Sequence, residues 1–172
     1  MNTEREAEAN KNFMRYLADS LLKKETVNSE ILQKLEQNAI ESLETANNLF
    51  TNRISYLWTI VTSYYAMFYI ASAYVYKKGY KVQHQIVHKV INDALIVLSQ
   101  KELQEKYLEE YEEEKEKALS LSQQLLNSLE FERTKRSTFQ YEMDAELKSS
   151  KAQTSLTRAK EFVAIFRELL QK

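Results

Sequence analysis

ISYLWTIVTSYYAMFYIASAYVY, residues 54–76, is a run of 23 residues without a charge, bounded by Arg53 and Lys77. That length can cross a bilayer. The content points to a different kind of helix. Six tyrosines are spread along the whole run, whereas tyrosines of a membrane span gather at its two interfaces. Ser55, Thr59, Thr62, Ser63 and Ser72 lower its hydrophobicity further. A helix that is apolar all round outside a membrane must be covered by neighbours on every side, and amphipathic segments flank this one. The run is expected to form the central, most buried helix of a bundle, from about 54 to 78, with no membrane involved.

The rest of the composition agrees. The chain has 172 residues, with one glycine, no proline and no cysteine. A phosphate-cradling Walker loop or GxGxxG fingerprint needs several glycines, and so do the tight hairpins of an all-β fold. Zero cysteine excludes disulfides, thiolate metal sites and a cysteine nucleophile. With 44% hydrophobic and 28% charged residues and no helix breaker but Gly79, the chain reads as all-α. The net charge of −1 supplies no global field toward nucleic acid or anionic lipid, so RNA binding would have to come from a local patch. The N-terminal MNTEREAEANKNF is charged and lacks the apolar core of a signal peptide, which gives a cytoplasmic location as the expectation.

Apolar residues at helical spacing divide the chain. A first helix is expected over about 3–24, with Phe13, Leu17 and Leu21 on one face. Ser29 is the expected N-cap of a second, which carries Leu32, Leu35, Ala39, Leu43, Ala46 and Phe50. Gly79 should close the central helix in the left-handed conformation. A fourth helix is expected over about 84–98, and Ser99 should cap a long fifth whose middle, EEYEEEKEK, reads as a solvated projection. Residues 137–150 read as a loop. The last helix follows, with Ala152, Leu156, Ala159, Val163, Phe166 and Leu170 facing inward. No repeat or linker interrupts residues 1–172. The expected architecture is one domain, an antiparallel up-and-down helical bundle of five to six helices.

Three groups of residues could carry chemistry. His84 and His88, the only histidines, stand four apart on one face of the fourth expected helix. Two histidines without a further ligand are a weak metal signal, and no metal or cofactor is expected. Arg133, Lys135 and Arg136 fall in FERTKRSTFQY at the end of the fifth helix. Cations there interact favourably with the helix C-terminus and need no function. That is the first reading; the second is phosphate binding, with Phe139 and Tyr141 available to stack on a base. Tyr64, Tyr65, Phe68 and Tyr69 form an aromatic group that reads first as core.

The string SYYAMFYIASAYVYKKGY followed by His84 resembles the YYAMF-helix, glycine, histidine pattern of HEPN domains, small helical domains associated with prokaryotic nucleotidyltransferases. Arg136 followed by Tyr141 is similar to the family's Arg-x-x-x-Asp-Tyr segment, and SSKAQTSLTRAKEFVAIFRELL is similar to its closing helix. The likeness covers about 39–170, leaving the first helix as an addition. It implies a homodimer in which an Arg-x4–6-His motif from each protomer meets in a shared cleft and cleaves RNA without metal. The arginine would hold the phosphate and the histidine would handle protons. Here neither Arg133 nor Arg136 is followed by a histidine, and Gln140 stands where the family has Asp. Glutamine takes no proton, and tyrosine, with a usual pKa near 10, is a poor base at neutral pH. The expected function is therefore binding of RNA or a nucleotide in a homodimer cleft. Arg133, Lys135, Arg136 and Tyr141 would form the cleft, with His84 and Tyr65 on its walls. A toxin–antitoxin or defence module with a nucleotidyltransferase partner is the implied setting. An active ribonuclease toxin, or an interaction bundle without a ligand, are the alternatives.

Overall fold

A computed structural model describes the backbone of residues 3–83, 86–99, 102–134 and 145–172, and the side chains of all of these except 3, 124–134 and 145–148. Among the described residues there are six helices and one short strand pair, an all-α bundle. α1 spans Thr3–Ala18, β1 Leu22–Lys24, α2 Ser29–Thr51 and α3 Tyr56–Lys77. β2 spans Tyr80–Val82, α4 Val87–Ser99, α5 Glu105–Thr134 and α6 Ala145–Gln171. No helix among the described residues is long and apolar enough to cross a membrane.

α3 is the uncharged run, and it is the hub. It packs on α2 and α6 over long faces and also touches α4 and α5. Tyr64, Ala66, Met67, Ile70, Ala71, Ala73, Tyr74 and Val75 are all fully enclosed. Ser55 starts the helix by accepting the Trp58 N–H, and Gly79 follows its end at φ +85°, a conformation only glycine adopts without strain. Ala39 and Ala46 of α2 are fully buried, and their small side chains let the backbones of α2 and α3 approach closely. On the far side α6 sends in Phe162 and Phe166, stacked 4.4 Å apart, with Phe166 edge-on to Tyr74 at 5.2 Å. The burial is not complete all round: Trp58 in the first turn is half exposed, Ile54 just before the helix is more so, and Tyr65, Phe68 and Tyr69 are half-buried.

Several expected boundaries are corrected. The first helix stops at Ala18 instead of running to 24. The chain turns at Ser20, with φ +57°, and Leu22–Lys24 pairs antiparallel with Tyr80–Val82 in the register Leu22↔Val82. The helical preference of Leu and Lys is overridden by this tertiary pairing. Asn28, not Ser29, is the cap of α2, its side chain accepting the N–H groups of Glu30 and Ile31. Ser99 ends α4 instead of capping α5. Its hydroxyl donates to the Leu95 carbonyl, and its own carbonyl takes the N–H groups of Glu102 and Leu103. The middle of α5 does not project into solvent: Leu108, Tyr111, Glu114 and Ala118 form a buried face. α6 begins at Ala145, inside the expected loop.

Candidate functional site

Few of the residues singled out in the sequence can be placed. Arg133 lies in the last turn of α5, with its side chain outside the described residues. Lys135, Arg136, Tyr141 and His84 lie wholly outside them. Tyr65 sits on α3, half-buried, with its ring 6.2 Å from Phe68 and Tyr69 and edge-on to His88 at 6.1 Å. It therefore belongs to an aromatic packing group on α3 and α4. α4 spans Val87–Ser99 among the described residues, and the expected shared helix face of His84 and His88 lies outside them because His84 does.

His88 is the described histidine, and α3 builds its surroundings. Its ring lies 4.6 Å from that of Phe68, and its Nδ1 is 2.7 Å from the Tyr64 hydroxyl. Burial holds the Tyr64 phenol well above its ordinary pKa, so it stays protonated. When that phenol donates to Nδ1, a neutral imidazole carries its own proton on Nε2. Burial and then the nearby Lys115 charge lower the pKa of His88 below 6.5. The ring is neutral at physiological pH. Tyr111 lies beyond Tyr64, 5.9 Å ring to ring, and its buried hydroxyl has no partner of hydrogen-bonding geometry among the described residues.

The sign of the His88 shift makes a prediction. The unfolded chain binds a proton at His88 at a higher pH than the folded chain does. Stability from this residue is therefore fully present above about pH 6.5 and falls as pH drops through the lowered folded value. Urea midpoints measured from pH 8 to pH 5 should decline for the wild type and decline less steeply for His88→Gln. Parallel curves would contradict the assignment.

α1, α4 and α5 enclose a cleft of about 450 Å³ beside His88. Its polar groups are tied into two networks. The nearly buried Asp93 accepts from Tyr16 Oη at 2.7 Å and from Asn12 Nδ2 at 3.1 Å, both bonds ending on Oδ2. Arg5 pairs with Glu112, whose other oxygen accepts from Asn92 Nδ2 at 2.8 Å. Sequence reasoning missed this cleft because its walls are some eighty to a hundred residues apart in the chain.

A third network stands between α5 and α6. Glu114 is fully buried, yet it accepts from the Ser155 hydroxyl, from Lys117 Nζ at 2.8 Å and from Arg158 Nη1 at 3.0 Å. Arg158 also reaches the exposed Glu113 at 2.7 Å. This clamp holds together the two helices between which the basic segment runs in the sequence.

Comparison with curated proteins gives no match. A family model does match, and it separates the bundle into two parts. α1 and β1, with the Arg5, Glu8, Ala9 and Asn12 wall of the cleft, fall outside it. The central α3, the His88 group, the α5–α6 clamp and the basic segment fall inside it. Because that match, to the HEPN domain, runs over residues 32–169, well beyond half of the chain, the protein belongs to the HEPN domain family.

Proposed function

We propose that this HEPN-family chain binds RNA or a nucleotide as a homodimer, in a cleft built from Arg133, Lys135, Arg136 and Tyr141, without efficient cleavage. The carrying observation is the concentration of three cations within four residues, Arg133 to Arg136, in a family member of net charge −1. Two-fold symmetry would double them into one positive cleft. Guanidinium forks suit phosphate because they engage two oxygens at once. Binding without cleavage is supported by the sequence after Arg136, which contains no histidine. It is supported also by His88, which is engaged by Tyr64 and packed on Phe68. A cytoplasmic toxin–antitoxin or defence module with a nucleotidyltransferase partner is the setting this reading favours.

The test compares Arg136→Ala with Lys34→Ala, an exposed residue of α2. Lys117 is unsuitable as the control because it contacts Glu114. Short RNAs and ATP are titrated at two salt concentrations, with products run on a gel and mass read by light scattering. Arg136→Ala should weaken binding about ten-fold or more and reduce the salt dependence, while Lys34→Ala leaves both unchanged. Equal behaviour of the two variants, or a mass near 20 kDa across micromolar concentrations, would remove this reading. Cleavage lost with Arg136 would replace it with the ribonuclease one.

A further inference from the structure

The cleft of α1, α4 and α5 has a composition that its two networks do not exhaust. Four charged side chains lining it lack a charged partner among the described residues: Lys89 and Lys115, and with them Glu8 and Asp93. The cleft is therefore dipolar, close to neutral in sum. Its positive end gathers at the first turn of α4, where Lys89 follows His88 and Lys115 stands near enough to act on the imidazole. The helix dipole adds to that end. His88 Nε2 has no protein partner among the described residues and carries the ring's proton in the tautomer in which Tyr64 donates to Nδ1. The negative end lies one turn further along α4, at Asp93. There Oδ2 takes both hydrogen bonds and Oδ1 is the oxygen left for a ligand. Ile86, Ile96 and Leu119 supply apolar wall. A volume of about 450 Å³ falls in the range of sites for small organic ligands.

We propose that this cleft is a second ligand site, independent of the basic segment, that takes a small phosphate ester carrying a nitrogen donor. The phosphate lies against Lys89, Lys115 and His88 Nε2–H, and the nitrogen donates to Asp93 Oδ1. The carbon body covers the apolar wall. A mononucleotide with an exocyclic amine and a phosphorylated amine share this chemistry. α1, which supplies one wall of the site, lies outside the residues that match the family.

Calorimetric titration of the full chain with AMP, O-phosphoethanolamine and inorganic phosphate tests it. At least one ester should bind, and inorganic phosphate should bind about ten-fold or more weaker. Lys115→Gln and Asp93→Asn should each weaken the ester about ten-fold or more. Asparagine keeps an acceptor for Tyr16 and Asn12, and a thermal melt checks that both variants fold. In Arg136→Ala, which removes the nucleotide cleft proposed above, O-phosphoethanolamine binding should be unchanged and AMP should keep a binding that depends on Lys115 and Asp93, which separates the two sites. The NMR signal of the His88 ring, assigned with His84→Gln, should shift on ester binding. AMP alone binding identifies a nucleotide, and the amine alone a phosphorylated amine. Failure of both esters, phosphate binding as well as the esters, unaffected Lys115 and Asp93 variants, or loss of binding in Arg136→Ala would each overturn the proposal.

Discussion

Phe166→Ala should lower stability by about 3–5 kcal/mol, the range for deleting a fully enclosed aromatic ring. Phe166 of α6 has no exposure, stacks on Phe162 and meets the Tyr74 ring edge-on. Those neighbours leave little freedom to collapse into the space. Tyr74 is held by hydrogen bonds from its hydroxyl to the Leu98 carbonyl and to Glu102, and Phe162 is stacked on Tyr111 at 5.4 Å. The cavity would open at the joint of α3, α5 and α6. For a chain of this size the loss corresponds to a fall in Tm of roughly 6–20 °C. Met14→Ala, at a residue two-thirds exposed, should change stability by no more than about 0.5 kcal/mol. Thermal melts of the two variants that nearly coincide would refute the packing described for α6.

The second large effect concerns neighbours on α5 that share a partner. Glu114→Ala should cost about 2–4 kcal/mol, because it strips a buried, charge-assisted acceptor from three donors. One of these, Ser155, is fully buried and would be left with nothing to accept its proton. Glu113→Ala removes a carboxylate that binds the same Arg158 at a shorter distance, 2.7 Å against 3.0 Å. Its side chain is 62% exposed, so the change should cost about 1 kcal/mol or less. Burial, not distance, decides the ranking. Urea midpoints that rank the variants in the opposite order would show that the Glu114 clamp does not hold α5 to α6.

What could be read in advance follows from how local each determinant is. α3 was legible because an uncharged run dense in tyrosine has one economical solution outside a membrane, burial on all sides. α6 was legible from its spacing of Ala, Val and Phe. The α5 face was misread because its buried row contains Glu114, which looks solvated until Ser155 and Arg158 arrive from another helix. β1 was misread because Leu22-Lys23-Lys24 carries no alternating pattern; its partner alone makes it a strand. The basic segment was legible as charge, but its geometry lies outside the described residues. The cleft beside His88 was not legible at all. Asn12 and Asp93 meet only because α1 packs on α4, and no local pattern in either segment encodes the other.

The pairing of β1 with β2 also bears on how the chain folds. The two strands bracket everything from α2 to the end of α3, so their pairing closes a loop of nearly sixty residues for three residues of ladder. A free chain would meet that entropy with few contacts in return. α2 and α3, however, adjoin in sequence and share the most extensive contact among the described residues. Once they zip into an antiparallel hairpin, the base of the hairpin brings 22–24 beside 80–82. Most of the closure entropy has then been met by local contacts. On this argument the ribbon is expected to form late in folding, after the α2–α3 hairpin. Substitutions at Leu22 should accelerate unfolding and leave the refolding rate nearly unchanged, with φ-values near zero.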